Sequence, residues 1–133
     1  MSLLNTLAQT QATLRIRRDV YSARTAFSVL ENAAEILETI APPHEFVTWA
    51  FAGQAASDGS GSLQFLTAHD PISDITGAPI DIDTAAQAMA ALSSLLSQVL
   101  TDKAQHEKDP GVLLALLTAA RHSSQIFLLA SDR

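Results

Sequence analysis

The chain contains no cysteine. That excludes disulfides, thiolate zinc sites, thiol redox work and cysteine nucleophiles. Aromatics are scarce, at 5% of 133 residues, with a single Trp and a single Tyr. No run of about 18 apolar residues occurs, which predicts no membrane span. The N-terminal residues, among them Asn5, Thr6, Gln9 and Thr10, lack the apolar core of a secretory signal. A cytoplasmic protein of one domain, residues 1–133, is the expectation. Positive charge is sparse and uneven. Residues 1–30 hold four Arg and one Asp, residues 31–100 hold nine acids and no Lys or Arg, and the formal net charge is −6. Phosphate backbones are bound mainly through Lys and Arg, so nucleic acid is disfavoured as a partner. Arg15, Arg17, Arg18 and Arg24 form only a small basic zone, and Tyr21 is the one aromatic near it.

What the chain has is helical periodicity. Ile16, Val20, Ala23, Phe27, Leu30, Ala34 and Leu37 alternate at spacings of four and three, with Val29, Ala33, Ile36 and Ile40 beside them. This predicts a long N-terminal helix from Ser2 to Ala41, ended by Pro42 and Pro43. Such a helix would measure about 60 Å. A compact domain of this size has a radius of gyration near 14 Å. The helix must therefore bend or break, and the polar run Gln9–Thr13 is the expected place. His44–Ala56 reads as a short helix with Phe46, Val47, Ala50 and Phe51 inward. Ser57–Ser62, with its two glycines, reads as a loop. Leu63–His69 suits a strand or a helical turn. The stretch from Asp70 to Asp83 reads as an irregular connection pinned by Ile72, Ile75, Ile80 and Ile82.

The second half predicts an antiparallel helical hairpin. Asp83 would cap a helix running to Gln105 with a stripe of Ala85, Met89, Leu92, Leu96 and Val99. Asp109-Pro110 would start the last helix. The fold class is thus all-α, a bundle of four to five helices. Charge is nearly missing from the hairpin. None lies between Asp83 and Asp102, and only Arg121 lies between Asp109 and Asp132. Solvent faces of helices normally carry charge. The opposite face of the first hairpin helix is Gln87, Ala91, Ser94 and Gln98, small enough for close approach of another helix. Cover by another part of the chain, or by a second copy, is implied.

Several constellations are candidate sites. Arg17, Arg24, Glu31 and Glu38 recur every seven residues along the first helix. Two copies laid antiparallel across Phe27 would match Arg17 with Glu38 and Arg24 with Glu31, the flanking-charge logic of paired helices. Each exposed pair would contribute at most about 1 kcal/mol, setting direction more than strength. Glu31, Glu35 and Glu38, and separately His69, Asp70 and Asp74, are weak candidates for a divalent metal, since neither group has a complete ligand set. No cofactor is expected. His44-Glu45 and His106-Glu107 lack the second histidine of a zinc-protease motif. Ser123 and Ser124 follow His122 directly and so do not face it. A pocket framed by Phe46, Trp49, Met89 and Phe127 is the place to look for a small molecule. The balance favours a non-catalytic helical interaction or scaffold protein, a homodimer or the partner of another protein. The alternative is a ligand-binding or enzymatic bundle using that pocket.

Overall fold

The computed structural model describes residues 2–68, 72, 75 and 80–132. Five α-helices account for most of them: α1 (Leu3–Arg17), α2 (Val20–Ile40), α3 (Phe46–Ser62), α4 (Ile82–Gln105) and α5 (Pro110–Ser131). A 3-10 turn, Pro43–Glu45, leads into α3. No strand occurs among the described residues, and the bundle is all-α, as the periodicity predicts.

The expected long first helix is two helices, and the break falls at Arg18–Asp19, not at Gln9–Thr13. Polar residues alone do not break a helix. The Thr6 and Thr10 hydroxyls donate back to the Ser2 and Thr6 carbonyls within the helix, and α1 runs unbroken through Gln9–Thr13. The break follows from the apolar register. Leu3, Leu7 and Leu14 are the buried residues of α1, and Ala23, Phe27, Leu30, Ala34 and Leu37 lie on the buried stripe of α2. From Leu14 to Ala23 is nine residues, a rotation of about 180° on one continuous helix. The two stripes can reach the same core only if the chain folds back between them. Arg18 makes this possible by adopting the left-handed conformation (φ 49°), its N–H closing onto the Leu14 carbonyl. Asp19 then caps α2 by accepting from the Ser22 N–H at 2.7 Å. Ile16, placed in the core stripe from sequence, is 82% exposed as a result.

The region Ser57–Ser62 is also helical, where the glycines and serines predict a loop. The reason is packing against α2. A Cβ on Gly59 would sit 2.2 Å from the Phe27 ring, and one on Gly53 would sit 3.5 Å from the Ala34 Cβ. Residue numbers rise along α3 as they fall along α2, so the two run antiparallel and in close contact. Buried Ala52, Ala56 and Gly59 line this seam together with Trp49. Phe46, Val47 and Phe51, expected inward, point out instead. The small face is the one that lets α2 approach.

Extensive packing joins α1 to α2, α2 to α3, α3 to α5, α5 to α4 and α4 to α1, with α2 and α4 also in contact across the middle. Leu63–Leu66 form turns after α3. Ile72, Ile75, Ile80 and Ile82 pack on the core, as the pinned connection predicts. Asp81, rather than Asp83, caps α4. Asp109 caps α5, accepting from the Gly111 and Val112 N–H groups. The stripe Ala85, Met89, Leu92, Leu96 and Val99 is wholly buried. Helix α5 has two extensive neighbours, α3 and α4. By length and composition it is apolar enough to cross a membrane, although one side is packed inside this bundle.

Candidate functional site

The residues expected to form a first-helix interface are already engaged within the chain. Arg17 lies 3.3 Å from the Asp19 carboxylate and stacks over the Tyr21 ring. Arg24 donates to the Thr67 carbonyl at 2.6 Å and approaches the Ser60 hydroxyl, tying the end of α3 to α2. Phe27, the expected crossing point, is fully buried against Gly59. An antiparallel pairing of first helices across Phe27 is therefore blocked by α3. Glu31 and Glu38 are half-buried. Burial pushes the Glu31 carboxyl above its ordinary range, the neighbouring Glu35 charge adds to this, and the Ser57 hydroxyl partly offsets it.

The pocket candidates do not meet in one cavity among the described residues. Trp49 and Met89 are fully buried core residues, while Phe46 and Phe127 are exposed on the outside. The Trp49 indole N–H has no hydrogen-bond partner among the described residues. No group of three acidic or histidine side chains able to hold a metal exists among them either, so Glu31, Glu35 and Glu38 do not converge with a further ligand. His69, Asp70 and Asp74 lie outside the described residues.

Three polar features lie elsewhere on the bundle. A cleft of about 190 Å³ between α1 and α2 is bordered by Thr6, Thr10, Thr13, Arg17 and Tyr21. Arg18 reaches across to Asp102 at 2.6 Å, pinning the α1–α2 joint to the end of α4. Between α4 and α5, the Ser97 hydroxyl lies 2.5 Å from that of Ser123 and 3.1 Å from that of Ser124. His122 pairs with Gln125 instead, so no serine–histidine couple forms there.

Large apolar side chains are also exposed on the outer face of α3 and α5. On α5, Leu114 (67% exposed), Leu117 (48%) and Leu128 (62%) share one stripe with Arg121 and Gln125. On α3, Phe51 (61%) stands beside this stripe. A groove of about 420 Å³ runs between the helices, lined chiefly by Phe51, Gln54 and Asp58 on one side and Gln125, Leu128 and Leu129 on the other. None of the four expected pocket residues, Phe46, Trp49, Met89 and Phe127, lines this groove. The two helices carry one charged residue each, Asp58 on α3 and Arg121 on α5. Gln54 donates to Asp58 at 3.0 Å, and Arg121 makes no ion pair among the described residues. The outer face of α4 differs: Gln87, Ala91 and Gln98 are exposed and Ser94 is half-buried, a small polar surface compatible with water.

The neutrality of α5 is the sequence signal behind Leu114, Leu117 and Leu128. It does not say which side of the helix the rest of the chain covers, and Phe51 carries no signal of its own that it faces out. Comparison with protein-family models, with curated proteins and with solved structures finds no match, so function has to be read from this chain's own geometry.

Proposed function

We propose that this chain is a non-catalytic helical interaction protein that self-associates through the outer face of α3 and α5. The observation that carries the reading is that face itself: Phe51 on α3 and Leu114, Leu117 and Leu128 on α5 lie open on two adjacent helices with one charge each. Scattered exposed apolar residues are ordinary, but contiguous ones mark interaction sites. Ile16, Ile40 and Phe65 are also exposed, on other parts of the chain. Among the described residues no group of three acidic or histidine side chains converges on a metal-sized site, and His122 pairs with Gln125 rather than with a serine.

The test is molar mass in solution across a range of protein concentration. Wild type should shift from one copy toward two as concentration rises. Leu117→Glu places a charge in the apolar stripe without touching the core and should hold the protein at one copy. A wild type that stays at one copy throughout would remove the reading. A groove of about 420 Å³ also falls within the size range of small-molecule sites. A small apolar ligand seated beside Phe51 is therefore the second reading. A rise in melting temperature with such a ligand, abolished by Phe51→Ala, would favour it over self-association.

A further inference from the structure

We infer that the occupant of the α3–α5 face is a second copy of this chain, with the two α5 helices antiparallel about Arg121 and each Arg121 paired with Asp58 of the other copy. This rests on the self-association reading and adds a register and a charge rule to it. The stripe Leu114, Leu117, Arg121, Gln125 and Leu128 is palindromic in its spacing. Leu117 and Leu114 stand four and seven residues before Arg121, and Gln125 and Leu128 stand four and seven after it. Laid antiparallel, Leu114 of one copy meets Leu128 of the other, and Leu117 meets Gln125. Leu128 and Gln125 both line the groove beside Phe51, so the incoming leucines enter the groove from the partner.

This register brings the two Arg121 side chains together near the symmetry axis. Two guanidinium groups there would repel each other unless carboxylates intervene. Asp58 is the carboxylate on the same face, lining the groove with Gln125, which lies about one helical turn from Arg121. In a symmetric pair, each Arg121 reaches the other copy's Asp58. The axis then carries two cations and two anions with no net charge. A face whose one cation and one anion both lack an opposite charge among the described residues is complementary to itself.

The footprint is adequate. Helix α5 has 22 residues and α3 has 17, about 33 and 25 Å long. Side by side at about 9 Å spacing, they offer roughly 600 Å² per copy, near the lower end of specific interfaces.

The experiment uses Arg121→Asp, Asp58→Arg, their equimolar mixture, and the double variant, each checked for folding by far-UV circular dichroism. Arg121→Asp places four acids at the axis and Asp58→Arg places four cations, so each alone should self-associate about tenfold more weakly than wild type, or worse. The mixture of the two should associate as a heterodimer, and the double variant should recover the wild-type mass. A wild-type dimer indifferent to all these changes would overturn the register while leaving self-association standing. A wild type that remains one copy, or that instead partitions onto lipid vesicles through α5, would overturn both.

Discussion

Replacing Gly59 with alanine should destabilise the protein, although alanine is the better helix former. Gly59 lies inside α3 and is buried. A methyl group built there falls 2.2, 2.5 and 2.6 Å from three carbons of the Phe27 ring. Carbon atoms in favourable contact lie about 3.5–4.0 Å apart, so the ring would have to retreat by more than about 1 Å. Phe27 has no exposed surface into which to move. Overpacking of this kind costs about 1–3 kcal/mol. The helix-propensity gain of Gly→Ala returns about 0.5–1 kcal/mol. The net expectation is a loss of about 1–2 kcal/mol. At roughly 3–5 °C per kcal/mol for a chain of this size, the melting temperature should fall by about 3–10 °C. Gly61 is the internal control. It lies in the same helix, and a methyl group there would meet nothing within 4 Å, so Gly61→Ala should stabilise by about 0.5 kcal/mol. Thermal and urea unfolding followed by circular dichroism measure both. Pairing Gly59→Ala with Phe27→Leu should recover part of the loss, because the smaller side chain vacates the space. Equal stability for Gly59→Ala and Gly61→Ala would refute the close α2–α3 approach and return Ser57–Ser62 to a loop.

Three further outcomes follow from particular residues. Glu31 has its folded pKa raised above the ordinary 4.5. The folded state therefore holds its proton more tightly, and stability falls as pH rises from about 4.5 through the folded value. Glu31→Gln should melt higher than wild type at neutral pH, and the gap should close in acid; a gap independent of pH would contradict this. Arg18 combines a left-handed backbone, costing about 1–2 kcal/mol for a non-glycine residue, with a surface ion pair to Asp102 worth at most about 1 kcal/mol. Arg18→Gly should unfold at or above the wild-type urea midpoint and Arg18→Ala below it; the reverse order would remove the strained joint. Trp49→Ala should cost about 3–5 kcal/mol as a buried aromatic truncation. Trp49→Phe should cost far less, because it also removes an indole N–H buried without an acceptor among the described residues, and similar losses for both would show that the N–H is satisfied in solution.

Much of the fold is legible in the sequence because helical stripes are local signals. The buried set of α4 can be read directly, since Met89, Leu92 and Leu96 recur at helical spacing and have neutral neighbours. The break at Arg18 is legible in principle. Leu14 and Ala23 lie half a turn apart, and Asp19 is a good cap, but the polar run Gln9–Thr13 is the louder local signal and points to the wrong place. Ser57–Ser62 carries a turn signature in its glycines and serines, while the cause of its helicity is the Phe27 ring, thirty-two residues from Gly59. The same nonlocality hides the inner face of α3: bulk points to Phe51, whereas close approach of α2 selects the small face. Arg24 and Phe27 resemble interface residues because nothing in their own helix reveals that α3 covers them. For α5, neutrality does not say which side is packed, because the exposed side depends on where α3 and α4 lie.

Cysteine cross-linking tests most directly whether a second copy covers the outer face of α3 and α5. The chain has no cysteine of its own, so introduced thiols report without background. In the proposed register, residue 117 of one copy faces residue 125 of the other. Two copies of residue 117 are displaced by about 12 Å along the helices, beyond the reach of a disulfide. Leu117→Cys and Gln125→Cys, each oxidised gently alone, should therefore stay uncross-linked, and their mixture should yield a covalent dimer. Cross-linking of either variant by itself at the same rate, or none in the mixture, would contradict the proposed pairing.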